Sequence, residues 1–233
     1  MDFVKAFRSA EEFVFLVGSW LILVPKTLGR VLVSGGWTFR YVNEQLAKAN
    51  AEERYVAYVS PVLFWVAIAV TPYIAVFNHY FSLSKAPADQ AFAALPLETK
   101  LLILSICLIG LPIGLSFLYN LFRGKIDRDS LQPMFLTQCY CASVFQLSLL
   151  PYLVNSLAKA FEEPIGFSAS HRGTIAILGL AWFLQMEFRV LKTAEGKGNL
   201  VTAALTLTYV LLSLVLTGVI VVGMAKILIE AYG

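Results

Sequence analysis

Few side chains in these 233 residues have the types and spacing that chemistry needs. The two histidines, His79 and His171, are far apart in sequence, and neither has a Cys, Asp or Glu at metal-ligand spacing. Cys139 and Cys141 stand two residues apart, which on a helix turns the thiols to different faces and suits no single metal ion. Cys107 likewise falls in an apolar run, where a thiol behaves as a small hydrophobic group and implies no disulfide framework. No Gly-rich phosphate loop, nucleophile elbow or pair of intramembrane carboxylates occurs. The expectation is a protein that is not an enzyme and has no cofactor, no bound metal and no nucleic-acid partner.

What remains is amides, hydroxyls and small residues at helical spacing, whose chemistry is hydrogen bonding. Gln138, Cys141, Phe145, Ser148, Tyr152 and Asn155 recur at steps of three and four and share one face. Ser105, Ile109, Pro112, Ser116 and Asn120 make a second seam, and Thr202, Thr206, Tyr209, Ser213 and Thr217 a third. In hydrocarbon an unpaired amide or hydroxyl costs several kcal/mol, roughly, so these seams must face protein. They either pack helices together, through interhelical bonds of about 0.6 kcal/mol each, or line a path for a small solute. Packing is the preferred reading. Gly110 and Gly114, four apart around Pro112, allow another backbone to approach closely.

The elements that must position these seams are membrane spans. The chain is 58% hydrophobic and only 14% charged, with a mean hydropathy of +0.73, too apolar for a water-soluble core protein. The predicted fold is all-α, a polytopic bundle of five spans preceded by interfacial amphipathic helices. A cytoplasmic, interfacial segment covers residues 1–56, and the transmembrane domain covers 57–233.

Phe13 to Val24 is too short to cross, and Glu11 and Glu12 beside it argue against a signal peptide. Beyond Pro25, Leu28, Val31 and Leu32 form an apolar edge, with Lys26 and Arg30 placed for lipid headgroups. Gly35 and Gly36 offer a hinge, and an amphipathic helix is expected from Trp37 to Tyr55. Span one begins at Ser60-Pro61, with serine as cap, and runs to about Ser82, bent at Pro72. Span two covers Leu97 to Phe122 and span three Leu131 to Asn155, joined by a tight turn capped at Asp129 or Ser130. Span four covers Gly173 to about Leu191. Near its end Gln185, Glu187 and Arg189 are expected at headgroup depth with Glu187 solvated, a buried Glu–Arg pair being the alternative. Span five runs from Leu200 to about Ile229 and, being longer than a bilayer requires, should tilt.

Lysine and arginine fix an orientation. Residues 1–56, the second loop and the fourth loop together hold thirteen, and the opposite set holds five. By the positive-inside rule the N-terminus is cytoplasmic and the C-terminus outside. A bacterial inner membrane is the expected location.

With these five spans, the stretch Arg54-Tyr55-Val56-Ala57-Tyr58-Val59-Ser60-Pro61, and Gly110, Pro112 and Gly114 in span two, the chain resembles the Yip family of Ypt-interacting membrane proteins and its bacterial permease-like relatives. The likeness covers roughly Arg54 to Ile229. It implies a non-enzymatic membrane protein that works through partners or lipids, with no catalytic residues to carry over. The functional expectation is an accessory or scaffold subunit, gripping membrane lipids, other subunits or a second copy. The alternative is a transporter or channel component for a small solute.

Overall fold

The computed structural model describes residues 18, 20–50, 53–83, 94–160 and 169–232, and the regular elements among them are all helical. They are α1 (residues 20–33), α2 (Gly35–Leu46), α3 (Pro61–Trp65), a π-helical turn (Val66–Val70), α4 (Thr71–Leu83), α5 (Leu97–Phe122), α6 (Arg128–Ala160), α7 (Ala169–Glu195) and α8 (Asn199–Tyr232). Among the described residues, four stretches are long and apolar enough to cross a membrane: Pro61–His79, Leu97–Phe122, Gly173–Glu195 and Asn199–Val219. The remaining expected span falls in α6, a helix of 33 residues.

The bundle is built around α6. Residues 137–146 are buried on all sides of this helix, so Cys139 and Cys141 are both fully enclosed although they point different ways. Helix α7 runs antiparallel beside it. Gln138 meets Glu187, the Phe145 and Phe183 rings stack with centroids 4.5 Å apart, and Ser148 lies against Gly179. Helix α5 is antiparallel on another side, with Gln146 reaching Leu108. Helix α8 packs on the outer side of α5, where Phe122 meets Tyr209 and Gly114 faces Ser213. Val31 of α1 and Tyr41 and Val42 of α2 share a buried cluster with Phe64, Tyr140 and Met186, so the N-terminal helices belong to the same core as the bundle.

Helix ends follow local chemistry, in places against expectation. Helix α2 stops at Leu46 instead of continuing to Tyr55, because Arg54 folds back and donates to the carbonyls of Leu46 and Lys48, while the Tyr55 amide donates to Gln45 Oε1 at 2.8 Å. Pro61 occupies the first helical position as expected, but the Ser60 side chain makes no capping bond. Helix α6 is capped two or three residues earlier than predicted, at Asp127. Asp127 Oδ1 accepts from the Ser130 amide at 2.8 Å, and Ser130 Oγ donates to Oδ2 at 2.9 Å. Before it, Gly124 at φ +65° closes α5: its amide bonds the Leu121 carbonyl and the Lys125 amide bonds the Asn120 carbonyl. The π turn ahead of Pro72 loosens the helix where proline could not donate, and Thr71 Oγ1 bonds the Val66 carbonyl there. Helix α7 continues past Leu191 to Glu195 and ends before Gly196, at φ +64°.

Candidate functional site

Two amides on α6 organise the interior. Gln146 joins three neighbours. Its Oε1 accepts from Trp65 Nε1 at 2.9 Å, its Nε2 donates to the Leu108 carbonyl at 2.6 Å, and its own carbonyl accepts from Tyr73 at 2.9 Å. Leu108 stands four residues before Pro112, which has no N–H to give. Proline in α5 therefore creates an orphan acceptor, and a glutamine on the next helix fills it.

Gln138 lies two turns nearer the start of α6. Its Nε2 donates to Glu187 Oε2 at 2.8 Å and approaches Met134 Sδ at 3.6 Å. Glu187 is only 2% exposed, so it is neither solvated nor paired with Arg189, which is exposed and donates to the Val33 carbonyl at 3.0 Å. The antiparallel register of α6 and α7 places this carboxylate inside the bundle, opposite the amide. Gln138 Oε1 and Glu187 Oε1 both lack hydrogen-bond partners. Cys141 sits beside them, 3.7 Å from Thr38 Oγ1, and the Thr38 hydroxyl also bonds the Gly35 carbonyl.

The hydroxyls behave otherwise than expected. Ser116, Thr206 and Thr217 are turned back on their own helices, donating to the carbonyls of Pro112, Thr202 and Ser213 at 2.6 to 2.8 Å, and Ser148 does the same to Phe145. Interhelical hydrogen bonds by these groups are thus replaced by local ones, and their contribution at contacts is small size. Asn120 likewise donates to the Ser116 carbonyl in its own helix and is buried, whereas Ser213 Oγ is buried without a partner. Tyr152 departs from the expected inward face, since it is 59% exposed. The side chain of Asn155 lies outside the described residues.

Close packing is carried by more glycines than the expected pair. Gly110 is buried in α5, and a Cβ at Gly114 would touch Leu216 and Ser213 at 3.3 to 3.4 Å. At Gly179 a Cβ would collide with Ser148, and at Gly35 it would come within 2.8 Å of the Met186 carbonyl. Gly35 thus also makes a close backbone contact between α2 and α7, and the interruption between α1 and α2 falls at Ser34, beside the expected hinge.

Lys26 and Arg30 are exposed, but they lie over aromatic rings. Lys26 Nζ donates to the Ala57 carbonyl at 3.0 Å and sits 4.6 Å from the centre of the Tyr58 ring, while Arg30 lies 5.5 Å from that of Trp37. Trp37 stacks on Tyr41 with centroids 4.8 Å apart, and burial pushes the Tyr41 hydroxyl up to about 12. Lys26 therefore also pins the Arg54–Pro61 stretch to α1, and Arg30 ties α1 to α2.

Gln146, Trp65, Glu187 and Gly179 are the principal residues that seam-reading does not single out. A proline inside a span does signal the first of them, because the carbonyl four residues earlier needs a donor from elsewhere. Among the described residues no group of three metal-ligating side chains converges. Compared with models of known protein families, with curated proteins and with solved structures, the chain matches none.

Proposed function

We propose that this is a five-span integral membrane protein, N-terminus in the cytoplasm and C-terminus outside, that acts without catalysis as an accessory or scaffold subunit through protein or lipid partners. Helix α6 is the additional crossing, and α1 and α2 lie along the cytoplasmic interface. The observation that carries this reading is the enclosure of α6: ten consecutive residues, 137–146, are buried, and the amides among them bond to neighbouring helices. A helix shielded from lipid needs less apolar character than one facing it, which accounts for its composition. The antiparallel order α5, α6, α7 agrees with five crossings and with the distribution of lysine and arginine. Helices α7 and α8 leave wide apolar faces, with Ile177, Leu178, Leu211 and Val215 each more than 60% exposed, for acyl chains or another subunit. The resemblance to the Yip family belongs to the same proposal.

Accessibility labelling of single cysteines at the two termini, in sealed membranes of known polarity, tests the topology. The expected result is labelling from opposite sides. Both ends on one side, or a monomer that captures nothing from its native membrane, would overturn the reading.

A second reading, a transporter or channel component for a small solute, is favoured by the two unpartnered oxygens of Gln138 and Glu187. Unpaired polar groups inside a bundle often mark a solute path. Flux through proteoliposomes that vanishes in a folded Gln138→Leu variant would promote this reading over the first.

A further inference from the structure

The second and fourth basic turns come together at one end of the bundle. Arg123, after α5, pairs with Glu195, at the end of α7, with Nε 3.3 Å from Oε1, and Lys197 joins them at 3.0 Å. Between this end of α5, helix α2 and the start of α6 lies a cavity of about 190 Å³. That is room for roughly six waters at liquid density. Arg123, Lys125, Asn43 and Asn120 supply its polar wall, while Phe39, Pro133 and Met134 supply an apolar one.

Local bonds hold most of the polar groups in place. Asn43 Nδ2 donates to the Phe39 carbonyl at 2.7 Å, Asn120 Nδ2 to the Ser116 carbonyl at 2.8 Å, and Arg123 Nη1 to the Tyr119 hydroxyl at 2.6 Å. A guanidinium carries five N–H donors, so Arg123 keeps donors beyond those given to Tyr119 and Glu195, and the Lys125 ammonium carries three. The nearby acids are engaged: Glu195 with Arg123 and Lys197, and Asp127 with Ser130. A fork and an ammonium facing rings and a thioether across one small space suit a ligand with an anionic oxygen-rich head and an apolar remainder.

We propose that this cavity receives the phosphate of an anionic phospholipid from the cytoplasmic leaflet. Crossing helices α5 and α6 put their shared turn at lipid-phosphate depth, and anionic lipids concentrate on that side. Inorganic phosphate has the same head chemistry but would leave Phe39, Pro133 and Met134 uncovered. The inference deepens the reading under Proposed function and rests on its membrane placement.

The test uses the purified full chain in a neutral detergent, titrated in separate arms with dihexanoyl phosphatidic acid, dihexanoyl phosphatidylcholine and inorganic phosphate, with thermal unfolding as the readout. Phosphatidic acid should raise Tm saturably and the other two should do so far more weakly. Lys125→Ala should weaken the phosphatidic acid response about five-fold, the effect of one headgroup-depth cation, and Asn43→Ala should also weaken it. Lys192→Ala, an exposed cation at the end of α7 that does not line the cavity, should leave it unchanged. Equal responses to phosphatidic acid and phosphatidylcholine would overturn the inference, as would inorganic phosphate matching the lipid, or Lys192→Ala matching Lys125→Ala. A chain that labels from opposite sides of the membrane yet shows no lipid preference sinks this inference alone. Both termini on one side sinks the membrane topology with it.

Discussion

Gln146 Nε2 donates to the Leu108 carbonyl at 2.6 Å, and that carbonyl is the one Pro112 leaves without a donor. The two residues therefore behave as one unit split between helices. Gln146→Leu should cost about 1–3 kcal/mol, because it strands both the Leu108 carbonyl and the Trp65 N–H in the interior. Pro112→Ala returns a backbone N–H within reach of Leu108, so it should recover part of that loss in the Gln146→Leu background. Denaturant unfolding of the four variants in detergent measures the coupling. Strictly additive losses would show that the two residues act independently.

Ser148 and Gly179 should be coupled through space instead of through a bond. A Cβ at Gly179 collides with both the Cβ and the hydroxyl of Ser148. Gly179→Ala should therefore destabilise the bundle by about 1–3 kcal/mol, the usual range for overpacking. Ser148→Ala keeps the offending Cβ and should not rescue it, whereas Ser148→Gly should. Rescue by alanine would mean that the hydroxyl alone is in the way.

Asp127 gives the turn between α5 and α6 a pH dependence of known sign. Hydrogen bonds from the Ser130 amide and hydroxyl hold its carboxyl below the ordinary range. A carboxyl lowered in the folded state stabilises above its unfolded value and loses that contribution as pH falls through the folded one. Wild type should thus be more stable than Asp127→Ala at about pH 6, with the difference shrinking toward about pH 3. A difference that grows on acidification would contradict the cap.

The helices themselves were readable in the sequence because long apolar runs and their flanking charges depend on local composition. Pro61, Gly124 and the limits of α5 follow from the same local rules. The interior was less legible. A seam drawn on one helix treats Gln138, Ser148 and Tyr152 as equivalent, although each meets a different neighbour. Gln138 faces Glu187 only through the register of α6 against α7, Ser148 faces a glycine, and Tyr152 lies near the end of the enclosed zone, more than half exposed. Hydroxyls mislead in another way, since Thr206 and Ser116 find acceptors one turn back and need no other helix. Gln146 was hidden among apolar residues, and only its relation to a proline 34 positions away gives it meaning.

The Gln138–Glu187 contact separates the two functional readings. Its 2.8 Å bond is enclosed, so Gln138→Leu leaves a buried carboxylate oxygen without its donor, and Glu187→Leu leaves an amide whose other neighbour is the weak acceptor Met134 Sδ. Each single change should destabilise by at least about 1–3 kcal/mol. Replacing both with leucine removes the polar demand altogether, and such apolar replacements of buried polar pairs are often neutral or stabilising. The double variant should therefore be more stable than either single one. If the contact serves packing, that variant should also keep its topology and capture the same membrane partners as wild type. If instead the two unpartnered oxygens belong to a solute path, the double variant should fold and assemble normally while flux through it disappears. Partner capture and proteoliposome flux, measured on the same preparation, decide between the two.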